Sequence, residues 1–434
     1  MSTAPLDEIR FSPERQLLDT LTERFGLEIL IDHFVDSGGV RPLYDLVLGS
    51  QLRLTPVLAP RLCSLLDEVR AALAFDEPIE LFVAQEASVN ASAISALGPG
   101  QPHVLSLTSA LVERMDDDEL RFVLGHELGH LAWRHYRARL ALAAFGNDAL
   151  GEPKAPALLA RRMESWDRLA EISADRAGLA VVGGRLEVAV STFFKIQSGL
   201  GPEHLRFDVQ AFLDQLRSLQ ALERRELLAR FSHPATPIRV RALQLFTQAQ
   251  RQGVALDSVD AQVSELARLM DYAPSEPLEV QLRETLLAGG LLVAQAGGGE
   301  IDEDEWNVLA HVLLPYSADP EREAERIETT ERAQELLAEG VAWLRANAGR
   351  ERFEVLRALA NVAAVDGRLD PEELAVLRGI AEMLDVPRKA ADTIFFEVLA
   401  DHLQTKAVHG APVPQLTTTA ASPRRGRKRS DHST

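Results

Sequence analysis

Cysteine is nearly absent from this chain: Cys63 is the single one in 434 residues. No intrachain disulfide can form, and no cysteine-built zinc site is available. Its apolar neighbours Leu62, Leu65 and Leu66 predict a buried structural thiol, a composition compatible with a reducing compartment. Long apolar runs are missing too. No uncharged apolar run reaches the roughly 18 residues of a membrane span, and the longest candidate, Leu286 to Gly299, is short and rich in glycine. The opening residues mix Asp7, Glu8, Arg10, Glu14 and Arg15 among apolar positions, so no signal core is visible and a cytoplasmic, soluble protein is expected. Positive charge is scarce: 46 Lys and Arg face 65 Asp and Glu, a formal net charge of −19. That argues against nucleic acid as the main partner, since phosphates call for a basic face.

What is present is leucine, alanine and helical periodicity, in a length that suits two or three domains. Residues 12–75 read as helices, opened by Ser12-Pro13-Glu14-Arg15, with Pro60–Ala74 the clearest. Strands are expected at Leu81–Val83, Asn90–Ile94 and Val104–Leu107, the last two separated by the turn Gly98-Pro99-Gly100. A helix should start at Asp116, where Glu119 three residues on completes a capping box, and run to about Arg139. Further helices are expected over 157–182, 209–231 and 237–251. Tyr272–Pro277 reads as a linker, and the chain beyond it as wholly helical to about Leu403. The tail from 405 ends in Arg424-Arg425-Gly426-Arg427-Lys428-Arg429, and its composition predicts disorder. The fold class is therefore α+β, mainly α, with a small sheet packed on helices and an all-α domain behind it.

The chemistry lies in His126-Glu127-Leu128-Gly129-His130. Residues four apart on a helix sit about 40° apart around its axis, so both histidines face one way and two imidazoles can share one zinc ion. Glu127 can then reach a water at the metal rather than the metal itself. Zinc lowers the pKa of that water and polarises the scissile carbonyl, and the glutamate carries the proton to the leaving amine. Gly129 is expected to leave room near the metal. A catalytic zinc needs a third protein ligand and an open position. His135 points about 140° away on the same helix, which suits a supporting or surface group. Tyr136 occupies the place where another zinc pattern has its third histidine. Of the acids downstream, Glu171 is the better ligand, because Asp175 shares its helix face and can support a ligand from behind. Glu164 is the rival, with Arg168 positioned to compete for its carboxylate.

His-Glu-Leu-Gly-His followed by Glu171-x-x-x-Asp175-x-x-Gly178 resembles the M48 zinc peptidases, over about residues 45–245. Val89-Asn90-Ala91 resembles the edge strand with which that family pairs extended substrate. Leu105–Leu111 followed by Asp118-Glu119-Leu120 resembles its approach to the metal helix, and Ser232-His233-Pro234 with Arg239 its downstream element. The resemblance implies a zincin-like domain, one Zn2+ per subunit held by His126, His130 and Glu171, and Glu127 as general base and acid. It implies that His233 stabilises the oxyanion and that Arg239 pairs with Asp175. Read from the residues alone, His233 serves equally as a helix-capping histidine before proline. Membrane members of the family carry apolar spans around these helices. Here Arg137, Arg139, Asp148, Lys154, Arg161 and Arg162 fill the interval, which implies a soluble enzyme.

In the carboxy-terminal half, Ala358–Glu373 reads as helix, tight turn, helix. Gly367 suits a left-handed turn, and Asp370 caps the next helix with Pro371 first and Glu373 three residues on. The pattern resembles the helical domain of tellurite-resistance TerB proteins, over about 278–404. A faint repeat sets Ala296–Glu303 against Ala364–Pro371. Such acidic loops could hold a divalent cation, but the spacing is not that of an EF-hand, and Gly298 replaces the counterpart of Asp366. The expected organisation is an amino-terminal helical segment at 1–44, a metallopeptidase domain at 45–250, a helix and linker at 251–277, the helical domain at 278–404 and a basic tail at 405–434. Protein or peptide substrates are expected. The helical domain is a place for a protein partner or regulation, and the tail a place for an anionic partner. The competing reading is a scaffold or chaperone-like protein that keeps the fold and acts by binding.

Overall fold

The computed structural model describes residues 6–36, 41–96, 101–146, 155, 157–222, 233–271, 274, 276–297 and 301–409, of which 41–43, 157 and 404–409 are described for the backbone alone. The turn at Gly98-Pro99-Gly100, the helix beyond 222, Ser232, Asp148, Lys154, Gly298, most of the linker and the basic tail lie outside the described residues. The final helix, Arg388–His409, runs a little past the expected start of the tail.

A four-stranded mixed sheet forms one layer: β1 (Leu52–Leu54), β2 (Ile79–Ala84), β3 (Ala91–Ile94) and β4 (His103–Thr108), in the order β1-β2-β4-β3. β2 and β4 run parallel, and the outer pairs are antiparallel. β4 is buried throughout, as a strand covered on both faces must be. β1 corrects the expectation of helix up to residue 75. It is three residues long and largely exposed, too short to show a period of two. One face of the sheet presents Leu81, Leu105 and Leu107 to Leu65 and Val69 of helix Pro60–Ala72 and to Leu120, Leu124 and Leu128 of the motif helix. Cys63 corrects a second expectation: it is partly exposed, beside the buried Leu62, Leu65 and Leu66.

The motif helix, Asp117–Ala132, starts at the expected capping box. Glu119 N–H donates to Asp116 Oδ1, and Asp116 N–H donates to Glu119 Oε2, both at 2.9 Å. It does not continue to Arg139. Trp133 and Arg134 break it, Arg134 with φ +56°, and a new helix occupies His135–Ala144. No glycine or proline marks this break, which is why the periodicity runs across it.

The long helix Ala157–Val181 crosses the motif helix on small residues. A methyl group at Gly178 would lie 2.6 Å from the Phe122 carbonyl oxygen, and one at Gly129 would lie 2.9 Å from Ala177 Cβ. Gly129 is therefore required by helix contact, not by space for a metal. Gly183 and Gly184, at φ +66° and +74°, end the long helix. Helices Leu186–Ser198, Val209–Gln220, Thr236–Gln252 and Leu256–Ala267 complete this half. Helix Ser12–Phe25 lies along the long helix and is buried at Glu14 and Leu21.

Residues 277–409 form a separate all-helical core around Leu286, Val293, Leu309, Leu337, Leu359, Leu377 and Phe395. Two of its helices each start at a capping box, Asp302 with Glu305 and Asp370 with Glu373, and Gly367 has φ +79°. This domain docks on the long helix. Trp306, Ala310 and Leu314 meet Leu158 and Phe25, while Arg162 pairs with Asp319 and Glu321, each at 2.9 Å. Among the described residues, no helix is long and apolar enough to cross a membrane.

Candidate metal centre

The crossing of the motif helix and the long helix sets one histidine pair against one carboxylate. His126 Nε2 and His130 Nε2 lie 3.1 Å apart, Glu171 Oε2 lies 3.4 Å from the first, and Glu171 Oε1 lies 3.3 Å from the second. Zinc bonds of about 2.0–2.1 Å at tetrahedral angles place donors about 3.3 Å apart, so this triangle has the size of one face of a zinc site. The donor chemistry agrees. Both outward ring nitrogens are engaged, His126 Nδ1 with Asp175 Oδ1 at 3.0 Å and His130 Nδ1 with His135 Nδ1 at 2.8 Å, leaving both inner nitrogens for a metal. Among the described residues, His126, His130 and Glu171 are the group able to hold one.

Electrostatics follow from burial and neighbours. Burial alone would lower His126, but the carboxylates of Asp175 and Glu171 lift it to about 9. Burial wins at His130 and takes it down to about 4. Glu171 would rise on burial, yet the imidazoles of His130, His126 and His233 hold it well below the usual carboxylate range. Burial pushes Glu127 upward, the direction that suits a base which must later give its proton back. Asp175 is held down by Arg239, which grips it at 2.6 and 2.8 Å and stacks on Phe193.

His126, Glu127, His130, Glu171 and Arg239 line a cleft of about 330 Å³. Asn90, Ala91, Ser92 and Ala93 form one wall, and among the described residues β3 has no strand on its outer side. Leu111, Phe122, Val123, Phe193 and Ile196 make the apolar lining. His233 is 60% exposed at the mouth, with Nδ1 3.2 Å from Glu171 Oε1. Of the residues singled out from the sequence, Glu164 does not reach the site: it is half-exposed and pairs with Arg161 at 3.8 Å. Arg168 turns instead to Asp271 at 2.8 Å.

His135, expected as a supporting or surface group, is fully buried on a helix of its own, beneath His130. Two residues escaped sequence reading. Glu14, from the first long helix, is equally buried 3.5 Å from His135 Nε2. Arg139 lines the cleft, held by Asp167 at 2.6 Å and 3.5 Å from Glu171. No local pattern marks Glu14 or Arg139.

The chain matches the family profile Peptidase family M48 over residues 56–246 and the profile Tellurite resistance protein TerB over 283–394. Over 202 residues it is 31% identical to the plastoglobule-localized metallopeptidase 48, chloroplastic, of Arabidopsis thaliana, covering 43% of this chain and 56% of that relative. The chain thus spans little more than half the length of the relative it matches. No solved structure matches it.

Proposed function

We propose that this protein is a zinc-dependent endopeptidase acting on protein substrates, a reading supported by the match of residues 56–246 to the Peptidase family M48 profile and of 283–394 to the TerB profile. The observation that carries the proposal is the triangle of His126, His130 and Glu171 beside the buried carboxyl of Glu127, open to a cleft. Bound zinc would supply Lewis acidity, polarising a carbonyl and acidifying water. Glu127 takes the proton of the attacking water and delivers it to the leaving amine. His233 donates toward the oxygen that gains charge on the scissile carbonyl. The free side of β3 at Asn90 and Ala91 binds an extended substrate as an added strand. Asp175 holds His126, and Arg239 holds Asp175.

We place the peptidase domain at 45–250 and the helical domain at 278–404, and assign the latter to regulation or partner binding through its docking on the helix that bears Glu171. We take the substrate to be polypeptide and propose that it is met in the cytoplasm. The test is hydrolysis of an unfolded protein such as casein by metal-stripped protein, with and without one equivalent of Zn2+. Restoration of cleavage by zinc supports the reading. Stoichiometric zinc binding without cleavage of casein or a random peptide library overturns it in favour of a binding scaffold.

A further inference from the structure

The amino-terminal segment lies outside the matched peptidase region, yet it reaches the back of the metal centre. Glu14 is fully buried, and its carboxylate collects Arg10 Nε at 2.8 Å, Arg10 Nη2 at 2.9 Å, Trp166 Nε1 at 2.9 Å and Ser173 Oγ at 3.1 Å. His135 Nε2 stands 3.5 Å from the same carboxylate, too poorly aligned for a hydrogen bond, and is a buried nitrogen with no other polar group to face among the described residues. The other nitrogen of His135 stands 2.8 Å from His130 Nδ1. His135 is fully buried and lies between the rings of Trp133 and Trp166. A continuous line therefore runs from a carboxylate of the amino-terminal helix, through one imidazole, to another whose inner nitrogen faces the metal site.

The line has a direction. A carboxylate can only accept, so the His135 nitrogen facing Glu14 is the one that carries hydrogen. In neutral His135 the opposite nitrogen is then an acceptor, and His130 Nδ1 must donate to it. That leaves the lone pair of His130 on Nε2, the nitrogen that looks toward His126 and Glu171. Reversing the line would put a hydrogen on His130 Nε2 and close it to a metal. Outer partners that fix the tautomer and aim of a ligating histidine are worth tenfold to a hundredfold in metal affinity.

We propose that Glu14 and His135 are positioning residues for His130, so that the amino-terminal segment is part of the metal centre. This rests on the reading of His126, His130 and Glu171 as zinc ligands. Zinc affinity is measured by competition with a chromophoric chelator, together with the visible spectrum of the cobalt-substituted protein. Glu14→Gln and His135→Phe should each weaken zinc about tenfold to a hundredfold and alter the cobalt bands. Asp260→Asn is the control. Asp260 anchors the same segment through Ser12 and Arg176 without touching the line, so this variant should lose thermal stability and keep wild-type affinity for zinc. Equal zinc loss in all three variants would make the segment a general brace and overturn the proposal. Unchanged affinity in the first two, with tight wild-type binding, would overturn it while sparing the zinc site. Wild-type protein that binds no zinc would remove both. A measurement that needs no substitution is nitrogen-15 NMR of histidine-labelled, metal-free protein. The line requires hydrogen on His135 Nε2 and on His130 Nδ1, and the opposite tautomers would contradict it.

Discussion

Replacing Gly178 by alanine tests how the site is assembled. The added methyl would lie 2.6 Å from the Phe122 carbonyl oxygen and 3.1 Å from its ring. Ordinary contact with that oxygen needs about 3.4 Å, so the two helices must part locally by roughly 0.8 Å. Glu171 sits two turns before Gly178 on one helix, while His126 sits one turn beyond Phe122 on the other. Zinc sites tolerate about 0.2 Å in ligand distance, so part of this shift would be taken out of the bonds to the proposed zinc. Overpacking costs about 1–3 kcal/mol, offset by up to about 1 kcal/mol of helix propensity gained over glycine. A net loss lowers Tm by about 2–4 °C per kcal/mol in a domain of this size. Zinc affinity, read by chelator competition, should fall at least about tenfold, which is 1.4 kcal/mol. The control is Gly379→Ala, where a methyl meets nothing within 4 Å. It should raise stability by about 0.5–1 kcal/mol and leave zinc untouched. If Gly178→Ala also stabilises and binds zinc as wild type does, the close helix crossing is not what sets the donor triangle.

Further outcomes are expected. Asp175→Asn removes the carboxylate that aims His126 and should weaken zinc about tenfold to a hundredfold, with Tm followed in parallel because Arg239 loses its partner. His233→Ala should lower kcat by about 10²–10³ while metal content, measured by atomic emission, stays at wild-type level. For pH, Arg10 and its neighbours overcome the burial of Glu14 and hold its carboxyl well below its ordinary 4.5. A depressed acid means that the unfolded chain binds the proton first, so its stabilisation is complete above about pH 4.5 and is lost as pH falls below it. Urea unfolding from pH 7 to pH 3 should show a steeper loss below 4.5 in wild type than in Glu14→Gln, and parallel curves would refute the assignment.

The metal triangle was legible because its rules are local. Four-residue spacing places His126 with His130 and Glu171 with Asp175, and Asp116 with Glu119 announces the motif helix. What stayed hidden depends on contacts between distant segments. β1 is three residues long, and it is a strand because β2 lies beside it. The break at Trp133 and Arg134 uses a left-handed arginine that no residue preference signals, and it turns His135 beneath His130. Glu14 looks like an ordinary acid in the first turn of an amphipathic helix. Its role depends on His135, Trp166 and Ser173, more than a hundred residues away. Gly129 stands out in the motif, but only the crossing helix shows what it makes room for.

The central claim is that zinc at His126, His130 and Glu171 serves hydrolysis with Glu127 as the base. Its most direct test is Glu127→Gln, measured for zinc content and for casein cleavage in the same preparation. The account predicts one zinc per chain, as in wild type, and a loss of cleavage of at least about a hundredfold. Cleavage retained at wild-type rate by the zinc-loaded variant would contradict it.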